Sequence, residues 1–421
     1  MKFSKHKLGE LLRITRGASL PGTGYADEGR YLRLTLANFH EEGGFKKFKS
    51  TQGKYFVDSF DNRFLMHKGD LITPLTEQSP GLLGSVAFIP SDDLYIQSQD
   101  VGLITCNSEK LDKRFAYYLF LTKSVREQIS ARSQQTKIRH TSPDKIADVE
   151  VYLPDLPTQL RIAAILGSID EKIELNRKKI AELEALAKTI YDYWFVQFDF
   201  PDKNGKPYKS SGGKMVWNEQ LKREIPDGWE VTQIKTICKI RSGHPFQAKT
   251  FKSNGIYGIV TIKNVQDGII DFPSEAFIDK YPDSIPSEFI LKQGDILMSL
   301  TGYVGRVGLV TFSDCLLNQR VAIILPKLDI YRCYLYCLFR SELMKSKIEN
   351  LSTGCAQKNV SPVDCENIFI PFNAKYVSHF QAVIESTTNE YINLSRQTQQ
   401  LVNLRDTLLP LLMNGQVEVK E

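Results

Sequence analysis

At 421 residues the chain has room for two or three domains and a sizeable buried core. Its 42% apolar and 24% charged residues are ordinary for a soluble globular protein, and the net charge of +5 permits a nucleic-acid partner without requiring one. No signal-like apolar run follows the lysines of MKFSKHKLGELL, no run approaches the ~18 residues of a membrane span, and the seven scattered cysteines lack a C-x-x-C pair, which together point to a reducing cytoplasm.

The chain begins at HKLGELL without the Ile-Pro-x-x-Trp lead-in that occurs later at 225–229, so the leading strand of the first module is expected to be trimmed. Residues 1–156 read as a globular module in which short β-rich runs mix with helical stretches such as RFAYYLFLTKSVREQI (114–129). A long helix is predicted over 157–195, started by Pro154, Pro157 and Thr158. Its apolar positions Leu166, Ile169, Ile173, Ile180, Leu183, Ile190 and Trp194 keep a strict 3–4 spacing, with Asn176 and Ala187 in the two remaining places. That narrow seam suits a partner helix in a left-handed coiled coil better than an ordinary surface helix. At about 1.5 Å per residue the helix spans roughly 58 Å.

The Gly-, Pro-, Lys- and Ser-rich stretch 196–228 reads as an exposed connector. A second module follows over 229–374, with β-rich runs such as VTIKNV (260–265) and RVAIIL (320–325), and Cys333 and Cys337 one turn apart on a helix, where they are expected to pack in the core. A second long helix is predicted over 375–413, ahead of a short tail at 414–421. Adding 218 to each seam position gives Ile384, Thr387, Tyr391, Leu394, Thr398, Leu401, Arg405, Leu408 and Leu412. The simplest inference is that the two helices pair antiparallel, polar seam residues fixing register at a cost in stability. Two unrelated surface helices are the alternative.

The repeat extends into the modules. LGELLRITRG (8–17) matches IKTICKIRSG (234–243) at an offset of 226, and KGDLITPLT (68–76) matches QGDILMSLT (293–301) at 225. QDVGLI (99–104) matches QRVAII (319–324) at 220, and SPDKIADVEV (142–151) matches SPVDCENIFI (361–370) at 219. The fold class is therefore α/β (α+β): two globular domains separated by two long antiparallel coiled-coil helices, in a pseudo-twofold tandem repeat. The modules carry 22 basic against 19 acidic and 16 against 14 residues, whereas both long helices are neutral. Any DNA contact is thus expected from the modules.

Motifs for chemistry are missing. There is no phosphate-binding G-x-x-x-x-G-K-[ST], the glycines of GYVGRVG (302–308) lack dinucleotide spacing, and the Asn-Pro-Pro-aromatic motif of amino-methyltransferases is not found. The six histidines show no metal-ligand or triad spacing, and no nuclease-type acidic constellation lies outside the tail. The expectation is a chain with no catalytic residues, no metal site and no cofactor of its own.

LPDLPTQLRIAAILGSIDEKIELNRKKI (153–180), YDYWFVQFDFP (191–201), IPDGWE (225–230), LRDTLLPLLMNG (404–415) and the twice-occurring Gly69-Asp70 and Gly294-Asp295 strands resemble the specificity subunits of type I restriction–modification enzymes. The resemblance covers nearly the whole chain. It implies two target-recognition domains, each reading half of a split sequence in double-stranded DNA. It also implies a helix pair that spaces them and docks two modification (methyltransferase) subunits, with restriction/translocase subunits joining the complex. S-adenosylmethionine for adenine-N6 methylation, ATP and Mg would then sit on the partner subunits.

Base readout needs paired donors and acceptors on loops. Repeat position favours Arg16 and Ser19 after the first strand, matched by Arg241, Ser242 and His244. Thr76, Gln78 and Ser79 follow the Gly-Asp strand, matched by Thr301, Tyr303 and Arg306. Gln134, Gln135, Lys137 and Arg139 precede the closing strand, matched by Thr353, Gln357 and Lys358; Lys263 and Asn264 complete the set. Because LTEQSPGLLGSV (75–86) replaces LTGYVGRVGLV (300–310), the two modules are expected to read different bases. A coiled-coil scaffold without DNA binding is the alternative function; a hidden enzyme would require the chain alone to bind S-adenosylmethionine.

Overall fold

Strand register carries the repeat into three dimensions. The structure, a computed structural model, describes residues 2–47, 55–78, 80–133, 139–273, 275–354 and 358–419. It divides into two compact units, Met1–Lys172 with Leu401–Glu421, and Ile173–Gln400.

In the first unit a sheet runs in the order Leu12–Arg16, Val101–Cys106, Leu71–Pro74, Ala87–Phe88. In the second the order is Cys238–Ser242, Val321–Pro326, Ile296–Ser299, Val307–Leu309, Gly268–Ile269. The first three strands of each sheet correspond at the offsets of the sequence repeat, and all are antiparallel to their neighbours. Strand period explains the continuous apolar runs, because both faces are covered. In the second unit Ile296, Met298, Ala322 and Ile324 face one core, whereas Leu297, Val321 and Ile323 face another. The first unit alternates likewise, with Leu71 and Ile104 on one side and Ile72 and Val101 on the other.

The leading strand is not trimmed. Ser4–Lys7 pairs with Glu150–Leu153, just as Glu230–Gln233 pairs with Phe369–Phe372. The missing Ile-Pro-x-x-Trp motif leaves this pairing intact because the ladder is made by backbone groups. A further shared device is the glycine after the first strand. A Cβ on Gly17 would lie 2.3 Å from Gln97 O, and one on Gly243 would lie 2.3 Å from Leu317 O. Each glycine lets the chain turn against the following strand, where Ala18 and His244 make equivalent parallel bridges to Ser98 and Asn318.

The long helices run over Leu156–Tyr191, continued by a π turn at Asp192–Val196, and over Ala374–Met413. None of the eighteen seam positions is exposed. In the first unit Ile162 and Leu166 share a core with Leu408 and Leu412. Tyr118 donates to Asp170 at 2.6 Å, and Arg405 lies 3.1 Å from the other carboxylate oxygen of Asp170. In the second unit, fully buried Asn176 donates to Gln397 at 2.8 Å, while the Tyr191 and Phe380 rings sit 6.1 Å apart. Residue number rises along one helix as it falls along the other, so the pairing is antiparallel. Each module closes its core on turns from both helices; the buried helix Arg332–Arg340, including Cys333 and Cys337, packs there in the second unit.

The stretch 196–228 is not simply an exposed connector. Phe198, Phe200 and Ile225 are buried in the core of the second unit, and Phe200 stacks on Trp229 at 5.3 Å. Asp199 accepts from the Ser210 backbone N–H at 2.7 Å and from its hydroxyl at 2.5 Å, and Met215–Asn218 pairs with Arg223–Pro226 as a hairpin. Lys203 to Lys206 and Lys209 to Gly212 fit the expected exposure as runs. Two well-placed aromatics and an isoleucine outweigh a polar average composition because each buries a large apolar area.

Gly243→Ala is expected to destabilise the second unit by about 1–3 kcal/mol through overpacking against Leu317 O. An unchanged denaturant midpoint would show that the backbone yields at no cost.

Candidate nucleic-acid interface

Antiparallel pairing gathers the expected contact loops at one end of each sheet. In the second unit Ser242 pairs with Ala322 and Ser299 with Val321, while Met298 pairs with Val307. The residues after Ser242, those before Val321 and the 300–306 loop therefore emerge together. In the first unit Arg16 pairs with Gly102 and Pro74 with Val101, with the same result.

The 300–306 loop of the second unit is tightly built. Ser299 Oγ accepts from the Arg306 backbone N–H at 3.0 Å, and Gly302 and Gly305 take positive φ of 74° and 78°, which glycine adopts at little cost. Gly302 N–H donates to Lys358 O at 2.9 Å, and Thr301 Oγ1 donates to Asn359 at 3.1 Å. Thr301, Tyr303, Arg306 and Lys358 are thus brought together, with Thr353 joined through its ladder to Asn359. Tyr303 is 72% exposed, and the Arg306 guanidinium stacks 3.9 Å from its ring centroid. Arg306 also reaches Gln266 Oε1 at 3.4 Å. Stacking restrains the half-buried guanidinium beside the exposed ring, and a guanidinium fork is the donor set that meets the two acceptors of guanine.

Beside this loop lie Ser242, whose hydroxyl donates to Gln319 O at 2.6 Å, and His244, whose ring packs 4.7 Å from Phe246. Sequence reasoning missed Gln319 and Arg320, both exposed, with Arg320 O accepting from Leu300 N–H. The Gln-x pair opening QRVAII was their available signal. Arg241 is held inward by an ion pair with Glu288 and by its position 5.2 Å over the Phe289 ring. Asn264 caps its own turn, accepting from Thr261 N–H at 2.9 Å, while exposed Lys263 sits 3.6 Å from Glu275. The cap recurs at Thr35 and Asn38 of the first unit, which marks it as part of the module's framework.

In the first unit Arg16, Ser19 and Gln78 are exposed. Gln78 borders a groove of about 570 Å³ with Arg33, Thr35, Ser98 and Asp100, of which none was expected. Ser79, Gln134, Gln135, Lys137 and Gln357 lie outside the described residues. Two expected contacts need correction. Thr76 is buried, so its side chain does not reach a ligand on the surface. Arg139 faces inward: it lies 2.9 Å from Glu77 and donates to Ser130 O, Ser130 Oγ and Ser133 Oγ at 2.7–2.8 Å.

Glu77 is the anchor that sequence reasoning overlooked. It is 1% exposed, and its second carboxylate oxygen accepts from the backbone N–H groups of Gly81, Leu82 and Leu83 at 2.9–3.1 Å. One buried carboxylate thereby shapes the loop that carries Gln78. No local pattern distinguishes such a glutamate from a solvated one. Among the described residues no group of three or more His, Cys, Asp or Glu side chains is arranged to hold a metal, and no helix is long and apolar enough to cross a membrane.

Residues 2–185 and 226–400 match the family described as type I restriction modification DNA specificity domain. The type I restriction enzyme MjaIX specificity subunit of Methanocaldococcus jannaschii is 27% identical over 315 residues, 73% of this chain and 69% of that protein. The HindI specificity subunit of Haemophilus influenzae is 23% identical over 413 residues, 83% of this chain and 87% of that protein. The solved S subunit of a type I restriction–modification system from M. genitalium aligns with a TM-score of 0.62 at 16% identity, covering 98% of this chain and 96% of that one, a likeness of fold.

Glu77→Gln is expected to cost about 2–4 kcal/mol, since it leaves the inward-facing Arg139 without its counter-charge. A urea midpoint equal to that of the unsubstituted protein would remove the anchoring role.

Proposed function

The chain belongs to the type I restriction modification DNA specificity family, and from that premise we propose how its two modules divide the work. It is a specificity subunit: it serves DNA target recognition, acts with methyltransferase and restriction subunits, and leaves catalysis to those partners. In the proposal, residues 1–156 and 229–374 are target-recognition domains that each read one half of a bipartite site in double-stranded DNA. The helices over 157–195 and 375–413 space them and dock two modification subunits. S-adenosylmethionine, ATP and Mg belong to the partners, and the assembly works in the cytoplasm.

The observation that carries this reading is the convergence of Thr301, Tyr303, Arg306 and Lys358 with Ser242 and His244 at one end of the second sheet. A guanidinium stacked on an exposed tyrosine supplies base readout, and Lys358 supplies phosphate contact. Arg16, Ser19 and Gln78 occupy the corresponding end of the first sheet, beside a groove whose lining differs, so the two half-sites differ in sequence. The scaffold alternative predicts no salt-dependent binding to duplex DNA, whereas phosphate contacts make affinity fall steeply with salt.

Methylation-site mapping in cells that carry this gene with its modification gene tests the proposal. A split motif with a fixed gap is the expected result; a formed complex with no methylation would favour the scaffold. Arg306→Ala should weaken binding to the cognate site by about 1–3 kcal/mol, with a smaller loss on scrambled duplex. Equal losses would assign Arg306 to the phosphate backbone. Inserting about four residues into one long helix, close to one turn, should lengthen the nonspecific gap while leaving both half-sites unchanged. An unaltered gap would remove the spacing role.

A further inference from the structure

The repeat offset exposes a difference between the two units. In the first, Tyr118, Asp170 and Arg405 form a hydrogen-bonded cluster where the short helix Lys113–Leu121 meets the two long helices. The corresponding positions in the second unit are Cys337, Thr388 and Ala187, at offsets of 219 and 218. Three large polar side chains are thus replaced by three small ones at one place. All three line a cavity of about 230 Å³.

The size and chemistry of this cavity point to an occupant. A dry cavity of about 150 Å³ accepts benzene, so this one has room for a ring with a substituent or a small fused pair of rings. Leu183, Tyr191 and Tyr391 supply apolar and aromatic wall. At the polar side Arg340 is already well supplied: it donates to Tyr336 Oη at 2.7 Å and lies 2.9 Å from Glu184 and 3.3 Å from Asp267. Glu184 lines the cavity; its Oε1 is sealed off beside Arg340, while its Oε2 accepts no hydrogen bond among the described residues. The lining carries four carboxylates against three cations, a balance that disfavours an anion.

We propose that this cavity is a binding site for a small, uncharged aromatic molecule with one hydrogen-bond donor, of the phenol or indole class, its donor directed to Glu184. The ligand would occupy the space that Tyr118, Asp170 and Arg405 fill in the first unit. It would brace the packing of Arg332–Arg340 on the helix pair.

The test is a thermal-unfolding titration of the full-length protein with p-cresol and with indole, benzoate serving as the anionic control. Either probe should give a saturable rise in Tm of roughly 1–2 °C at about five times its Kd, and benzoate a smaller one. Ala187→Leu fills the cavity from the first long helix and should abolish the rise. Cys337→Tyr does so from the short helix, which keeps the test open should the first variant fail to fold. Glu184→Gln should weaken binding several-fold. No saturable rise with either probe, or an undiminished rise in a folded, filled variant, overturns the site; an equal response to benzoate overturns the assignment of a neutral donor.

Discussion

The helix pair is the constraint on which the rest of the structure depends. Neither module buries its apolar floor alone. In the first unit Ile162, Leu166, Leu408 and Leu412 complete the core under Lys113–Leu121, and in the second Tyr191, Phe380, Ile384 and Tyr391 complete it under Arg332–Arg340. Each fully buried side chain of this kind contributes on the order of 1.5–3 kcal/mol, so the helices add several kcal/mol to the base of each module. The polar groups across the helix pair trade stability for register, and Asn176 Oδ1 is buried with no hydrogen-bond partner among the described residues. Asn176 with Gln397 and Asp170 with Arg405 can be satisfied only when the helices meet in one register, which is how buried polar pairs select one arrangement over its neighbours.

On that base each sheet gathers its contact loops at one end. The strands are buried on both faces and alternate strictly, leaving their ends as the place where sequence is free to vary. The modules use that freedom differently. The second builds its loop from backbone turns and glycines, and presents Tyr303 outward with Arg306 stacked on it. The first spends a buried glutamate on holding its loop and turns Arg139 inward to balance it. One framework therefore carries two chemically distinct surfaces, as a subunit reading two unlike half-sites requires.

Much of this was legible beforehand. The 3–4 spacing located both long helices to within a few residues, because a seam is a local pattern repeated many times. The repeat, with its offset drifting from 226 to 220, paired the strands Leu12–Arg16 and Cys238–Ser242, Leu71–Pro74 and Ile296–Ser299, and Val101–Cys106 and Val321–Pro326. The stretch 196–228 was misjudged because average polarity hid Phe198, Phe200 and Ile225. The leading strand Ser4–Lys7 was misjudged because a motif was taken for the strand it accompanies. Among the candidate contacts, Thr76 and Arg139 share one fault: their side-chain type suits a base or phosphate, but each has its burial or its partner within the protein.

The sequence by itself determined the tandem repeat, the paired helices, the mixed sheet-and-helix class and the family, since all of these rest on periodic or local signals that a side chain's neighbours along the chain reveal. Tertiary structure alone decided which polar residues remain available. Whether Arg306 reaches Gln266 while Arg139 turns inward to Glu77, and whether the space beside Cys337 is filled or open, depends on contacts between segments tens to hundreds of residues apart. Charge compensation and packing volume are settled only when those segments meet.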